Sequence, residues 1–526
     1  MTEARPSKLL FAYLLFSALV CGGAVMVVEV LGSRVIGPFF GVSLFVWTSL
    51  ISVALISLAL GYWFGGVMAD RRGRTSDLYA LIAAAGVCVL LIPWLKAPVL
   101  EAALPLGLRT GAFVSSLILF GPSLLLLGCV SPYLVKIAAR AVDNIGRTVG
   151  GLYALSTIGS VVGTALTGFY LIAHLGVSQA FYAVGITLLL IAAVYFAVLR
   201  RLVIAAVAVL AGVALAPQWM VPPALSMPGA QVREVFSGDT FYGAIKVVDT
   251  DYGGTVERQL LIDGLLQGTQ DVSTGLSVHP YIYLMQFMPY RLQPNGRDCL
   301  VVGLGAGFIA AGYSARGIRT DVVDIDPVIP QLARDYFGFK TSGDVIVADA
   351  RHFLLTTPRM YDYIILDAYS GDLMPHHLVS REMYQLLAQR LRPGGVLGIN
   401  FIGSIGEQRR MTASMVRTLR SVFENVDVYP AFDVAAMQGI GNLEIFAYTG
   451  PPRTLLPLGE VPGLVIHPGI NGQVRSYMRE SYPFIVDADA LILTDDYNPI
   501  DFFDAGLRET VRGLILQNTV RGLLTQ

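Results

Sequence analysis

The run Cys299-Leu-Val-Val-Gly-Leu-Gly-Ala-Gly307, followed by Val322-Val-Asp-Ile-Asp326, decides the fold. A short apolar stretch closing on Gly303, Gly305 and Gly307 reads as a parallel strand turning sharply into a helix, and a second strand ends on Asp324. Glycine lets the backbone approach a ligand where a Cβ would clash. A carboxylate at the tip of the next strand can accept hydrogen bonds from both hydroxyls of a ribose. Alone, Gly-x-Gly-x-Gly also fits a tight turn with no ligand; with Asp324 it predicts a nucleoside site.

The same beat continues downstream. Asp344-Val-Ile-Val-Ala-Asp349-Ala350 and Tyr361-Asp-Tyr-Ile-Ile-Leu-Asp367 read as a third and a fourth strand, each ending in an acid. Strands alternating with helical stretches make a doubly wound parallel sheet, whose ligands sit beyond the carboxyl ends of the strands. Asp324, Asp349 and Asp367 are therefore expected around one crevice, although any one of them also suits a helix N-cap. No phosphate-binding Lys or Arg accompanies the glycines, and Phe308-Ile-Ala-Ala-Gly312 lacks the third glycine of the dinucleotide fingerprint. This favours a cofactor without a pyrophosphate, such as S-adenosylmethionine, over NAD or FAD.

With 54% hydrophobic and 14% charged residues among 526, the chain is too apolar for an ordinary soluble protein, and the excess lies in its first half. Apolar spans at 9–31, 43–65, 78–95, 112–138, 150–173, 180–199 and 202–220 each approach the ~20 residues that cross a bilayer, so residues 1–220 are expected to form a transmembrane domain of about seven helices. Small residues between Gly150 and Gly168 suit close packing of two helices. Residues 1–230 carry 13 Lys+Arg against 6 Asp+Glu, whereas residues 231–526 carry 24 against 32. Ten of the 13 basic residues fall on one side of the alternating spans, which places the N-terminus in the cytoplasm of a multi-pass cell-membrane protein. Seven crossings would then put the nucleoside domain outside, in conflict with its expected cytoplasmic place. Cys21, Cys88, Cys129 and Cys299 form no disulfide framework, and the six histidines give no metal motif.

Residues 221–230 are a Pro-rich linker, and residues 231–265 alternate at period two around Asp251-Tyr-Gly-Gly254, predicting a small antiparallel β domain before a Rossmann-like domain at 266–526. From there the order of motifs resembles spermidine synthases of the polyamine aminopropyltransferase family, and more closely the membrane-fused spermidine synthase-like proteins. The resemblance covers about residues 231–400, with an echo at Leu493-Thr-Asp-Asp-Tyr-Asn-Pro499. Its pieces are Asp263-Gly264-x-x-Gln267, Gly303-x-Gly305-x-Gly307, Asp324-Ile-Asp326, Asp349-Ala350, Asp367, Glu382-Met-Tyr384 and Leu391-Arg-Pro-Gly-Gly395.

The resemblance implies that Gln267 contacts the nucleoside donor, that Asp324 holds the ribose, and that Asp349 with Ala350 lies near the adenine. It implies that Asp367 opens a gating loop and orients the attacking amine. Three departures stand out. Ala306 occupies the place of an Asp that grips the donor's free amine. Ser370 occupies the place of a second gate-loop Asp, with Asp372 two residues on as the substitute. The Tyr-His-Glu run after the Gln is absent, although His279 and Tyr281 lie nearby.

The expectation is a membrane-anchored transferase that moves an aminopropyl or related alkyl group from decarboxylated or intact S-adenosylmethionine to an amine and releases methylthioadenosine. It needs no prosthetic group, metal or nucleic acid. Its partners are the donor, the acceptor and the lipid bilayer; a homodimer stays open. Two other readings are a methyltransferase on the same fold, and a transporter or sensor with a nucleoside-binding domain. The loop after Asp367 suits a lid, His376 and His377 are candidate proton carriers, and Asp495 and Asp496 are candidates to close the acceptor pocket.

Overall fold

The computed structural model of the protein describes residues 8–41, 44–139, 145–199, 226–227, 229–369, 374–500 and 505–518. The chain divides into two compact units, residues 1–224 with 521–526, and residues 225–520.

The first unit is helical: α1 (Lys8–Phe40), α2 (Leu44–Arg71), α3 (Thr75–Ala103), α4 (Gly107–Leu119), α5 (Gly121–Ala139), α6 (Ile145–Leu166, continued by a π-helical turn over Thr167–Leu171) and α7 (Val177–Val194). Six helical stretches among the described residues are long and apolar enough to cross a membrane. The expected seventh span, 202–220, lies outside the described residues. The span expected at 112–138 is instead two helices parted at Phe120. Gly121-Pro122 explains the break, because a proline carries no N–H and belongs in the first turn of a new helix. The small residues of α6 pack against α1: a Cβ on Gly159 would stand 1.9 Å from the Leu19 carbonyl oxygen, and one on Gly163 2.5 Å from that of Gly23. The Ser160 hydroxyl donates to the Gly22 carbonyl at 3.0 Å. Two backbones approach this closely only where side chains are small.

The second unit opens with a six-stranded antiparallel sheet, β1 (Ser226–Met227), β2 (Ala230–Asp239), β3 (Ala244–Asp251), β4 (Val256–Ile262), β5 (Leu265–Asp271) and β6 (Leu276–Ser277), paired in that order. This sheet runs past the expected boundary at 265, because Leu265–Asp271 pairs back onto β4 through the turn at Asp263-Gly264. Both turn residues have positive φ, +49° and +73°.

The alternating part follows: α8 (Pro280–Leu292), β7 (Asp298–Val302), α9 (Phe308–Ala315), β8 (Arg319–Asp324), α10 (Ile329–Phe337), β9 (Val345–Val347), α11 (Ala350–Thr356), β10 (Tyr361–Leu366), α12 (Arg381–Arg390), β11 (Leu391–Ser404), α13 (Arg410–Arg420), β12 (Asn425–Pro430) and β13 (Ile440–Tyr448). The strands form one sheet in the order β12-β13-β11-β10-β7-β8-β9. β9, β8, β7, β10 and β11 run parallel, and β13 turns back antiparallel between β11 and β12. This is the expected doubly wound Rossmann-like domain. The chain leaves β7 toward β8 on one side and returns to β10 on the other, which opens a crevice at the strand ends. Each face has its own core. Cys299, Val301, Ile365, Val396 and Phe446 pack with α8 and α9 on one side, and Leu300, Val302, Leu366, Ile399 and Ile445 pack with α12 and α13 on the other. Buried on both faces, these strands read as near-continuous apolar runs.

Candidate active site

The crevice is built from the backbone outward. Gly303, Gly305 and Gly307 all have positive φ, +87°, +51° and +85°. At Gly303 there is a second constraint, since a Cβ would stand 2.1 Å from the Asp367 carbonyl oxygen. The first glycine is therefore the point where the tips of β7 and β10 touch. The tips are in register throughout: Gly303 N donates to Val323 O at 2.8 Å, Asp367 N to Val302 O at 2.9 Å, and Ala348 N to Asp324 O at 3.0 Å. Asp324, Asp349 and Asp367 thus stand at the ends of neighbouring strands.

Their surroundings differ. Asp324 closes the glycine loop onto β8, for one of its oxygens accepts from Leu304 N at 2.8 Å and the other from Asp326 N at 2.9 Å. Each oxygen keeps a lone pair for a further donor. Burial outweighs these bonds and pushes the Asp324 carboxyl up to about 6. Asp326 accepts from the Thr240 hydroxyl at 2.6 Å, which fastens the antiparallel sheet to β8. Asp349 caps α11 by accepting from His352 N at 2.8 Å, and its other oxygen lies 3.3 Å from His377 Nε2. The capping role weighed from the sequence is present here, beside an oxygen that faces a histidine. Ala350, the next residue, is buried at the first turn of α11.

Gln267 lies on β5, and its carbonyl oxygen is 3.5 Å from where a Cβ of Gly305 would be. Among the described residues its side chain makes only a 3.5 Å contact to Leu265 O. Ala306 is buried beneath the same strand, 3.1 Å from where a Cβ on Gly268 would stand. His279 bonds Thr269 of β5 at 3.0 Å, and burial lowers its pKa to about 4. Tyr281 follows at the start of α8.

Asp367 accepts from Asn400 Nδ2 at 2.8 Å, and burial pushes its carboxyl up to about 6. Asn400 in turn accepts from Asn442 Nδ2 at 2.9 Å. Tyr369 donates its hydroxyl to Asn400 O at 3.0 Å. Opposite Asn400 in the β11–β13 ladder stands Glu444, which is fully buried. Asp367, Asn400 and Glu444 thus form a polar row across three adjacent strands. Asn400 and Glu444 were not read from the sequence, though a signal existed: each is a lone polar residue inside an apolar run, Leu397-Gly-Ile-Asn-Phe-Ile and Leu443-Glu-Ile-Phe-Ala.

Asp372 and Ser370 lie outside the described residues. His376 and His377 are held from the backbone, since Asn498 Nδ2 donates to His376 O at 3.0 Å and Arg351 Nη1 to His377 O at 3.2 Å. Asp495 is committed to Arg351, which donates to both of its oxygens, and its N–H donates to Glu382 at 3.0 Å. That pair ties α11 to the 493–498 segment. Among the described residues no group of His, Cys, Asp and Glu could hold a metal ion.

Residues 279–436 match the spermine/spermidine synthase domain. The chain is 34% identical over 160 residues to the N-terminal histidine N-methyltransferase of Emericella nidulans, covering 29% of this chain and 28% of that protein. It is also 34% identical over 246 residues to the polyamine aminopropyltransferase of Vibrio vulnificus, covering 44% of this chain and 77% of that one. The crystal structure of spermidine synthase from Thermotoga maritima aligns with a TM-score of 0.34 at 18% identity, over 54% of this chain and 88% of that one. The chain thus spans under a third of the Emericella protein and about three quarters of the Vibrio one.

Proposed function

The chain belongs to the polyamine aminopropyltransferase family, and on that premise we propose that it moves an aminopropyl or related alkyl group from decarboxylated or intact S-adenosylmethionine to an amine, releasing methylthioadenosine. One observation carries this reading: Asp367 stands at the tip of β10, against the first glycine of the nucleoside loop and braced by Asn400.

Displacement at a carbon beside a sulfonium needs little from the protein at the leaving side. The nitrogen lone pair forms the new C–N bond, the C–S bond breaks, and its electron pair returns to sulfur as a neutral thioether. What the protein must supply is a neutral, aligned amine. The ionised Asp367 accepts a hydrogen bond from the incoming amine, points its lone pair at the donor, and takes the proton it sheds. Asn400 fixes the carboxylate's rotation. Asp324 would hold the ribose, with Gln267, Asp349 and Ala350 lining the rest of the donor. Asp372 remains in the proposed catalytic set by its place in the gating loop.

Six apolar helices among the described residues support anchoring to a membrane. A second reading, methyl transfer from intact S-adenosylmethionine to an amine, draws on the Emericella methyltransferase and on Ala306, which adds no negative charge to the donor's tail pocket. The test is the split between turnover and donor binding. Asp367→Asn, which can still accept from Asn400 through its amide oxygen, should keep donor affinity by calorimetry while the rate falls about 10²-fold, the scale of a lost acid–base group. A fully active Asn variant would remove Asp367 from this role.

A further inference from the structure

The 493–498 segment lies past the matched residues 279–436, yet its polar contacts run to the nucleoside end of the crevice. It is fastened to α12, where Arg381 N donates to Leu493 O at 2.8 Å and Asp495 N donates to Glu382 at 3.0 Å. Both Asp495 oxygens accept from the Arg351 guanidinium of α11. From there the contacts converge on one turn, His376–Leu378. Arg351 Nη1 donates to His377 O at 3.2 Å, and Asn498 Nδ2 donates to His376 O at 3.0 Å. Two consecutive carbonyls of a surface turn are thus held by side chains from two elements far apart in the sequence. Fixing a turn this way opposes its conformational entropy and delivers its side chains to set places. One of them is His377, whose Nε2 stands 3.3 Å from the Asp349 oxygen that does not cap α11.

That oxygen is placed to read a base. With a ribose on Asp324 at the tip of β8, the base extends toward the neighbouring strand β9, where Ile325 and Val347 expose apolar side chains beside Asp324 and its ladder partner position. A carboxylate accepts and cannot donate, so the edge it meets must donate. The exocyclic amine of adenine does; the carbonyl that replaces it in hypoxanthine does not. His352 N holds one Asp349 oxygen at 2.8 Å, and a partner on the other oxygen would set the plane of the group. The His377 nitrogen is just past the usual N–H···O range, so a small turn of the ring closes the bond. We propose that His377 is a positioning residue for base recognition: its Nε2–H donates to Asp349 and leaves the second lone pair of that oxygen aimed at the amine of the donor's base. The Arg351–Asp495 pair and Asn498 hold the turn that carries it. This role rests on the nucleoside-donor reading above.

The experiment is binding calorimetry on the full-length protein in detergent, with methylthioadenosine and methylthioinosine as probes, and it needs no turnover. The wild type should bind methylthioadenosine about tenfold or more tightly than methylthioinosine. His377→Ala should cut that ratio about fivefold or more, chiefly by weakening methylthioadenosine. His377→Gln, whose amide still donates, should restore part of it. Asp495→Ala, which leaves His377 in the chain but releases Arg351 from its clamp, should lower the ratio by a smaller factor. A contact that only stabilises the turn would weaken both nucleosides alike, so an unchanged ratio in His377→Ala overturns the role. Should that variant not fold, an unchanged ratio in Asp495→Ala overturns it instead. A wild type that binds both nucleosides equally overturns the role and leaves the donor site standing. A wild type that binds neither overturns the nucleoside-donor reading itself.

Discussion

At the scale of single residues, three carboxyls at the strand tips carry the account, and burial gives two of them the same pH behaviour. Asp367 and Asp324 both have folded-state values pushed up to about 6. A carboxyl raised in the folded state favours folding fully below its ordinary value near 4, and that contribution is lost as pH rises through about 6. The Asp367→Asn variant should therefore melt above the wild type at pH 8, with the gap closing toward pH 4, while its turnover stays low throughout. Wild-type turnover should rise with pH through about 6 as Asp367 ionises; a flat profile would show that this carboxyl does not handle the amine. Asp324→Ala removes an anchor for Leu304 N as well as the proposed acceptor for the ribose hydroxyls, and should weaken donor binding by about 2 kcal/mol or more, measured by calorimetry. Ala306→Asp should shift donor preference toward the decarboxylated form, read as a ratio of donor affinities, because a buried negative charge beside Gln267 suits a bare cationic tail. These residues were legible because strand ends carry a fixed meaning in a parallel sheet. Glu444 was not read: the apolar run around it marks it as a lone buried acid, but only the strand order brings it beside Asn400.

At the scale of elements, the glycine loop was legible and its tightest constraint was not. The sequence placed Gly303, Gly305 and Gly307 at a turn, but the contact that forbids a side chain at Gly303 comes from Asp367, across the sheet. Gly303→Ala should consequently disturb both sites at once, lowering the melting temperature through a φ of +87° and a backbone clash, and weakening donor binding in the same step. An alanine variant with wild-type stability would mean the loop is free to move away from β10. The strand boundary at 265 was misplaced because Gln267, expected as a donor contact, is also a residue of the antiparallel sheet, where β5 passes over Gly305. In the helical unit the apolar pattern located the helices, whereas the break at Phe120 lay in a single proline inside an uninterrupted hydrophobic run. Gly159→Val should separate α6 from α1, with loss of thermal stability of the purified protein, because the new side chain meets the Leu19 carbonyl.

At the scale of the whole molecule, the two units are differently made and each has its own core. Residues 225–520 contain both faces of the parallel sheet and the antiparallel sheet fastened to it by Thr240 and Asp326. That segment expressed alone should be soluble and should bind donor with the affinity of the full chain; aggregation would mean that it needs the helical unit to complete its surface. Composition separated the units, since the excess of apolar residues and the net positive charge share the first half, but composition is silent on the acceptor. The most direct test of the central claim is the nucleoside product. The full-length protein incubated with decarboxylated or intact S-adenosylmethionine and 1,4-diaminobutane should yield methylthioadenosine and an alkylated amine by mass spectrometry; S-adenosylhomocysteine and a methylated amine would contradict it.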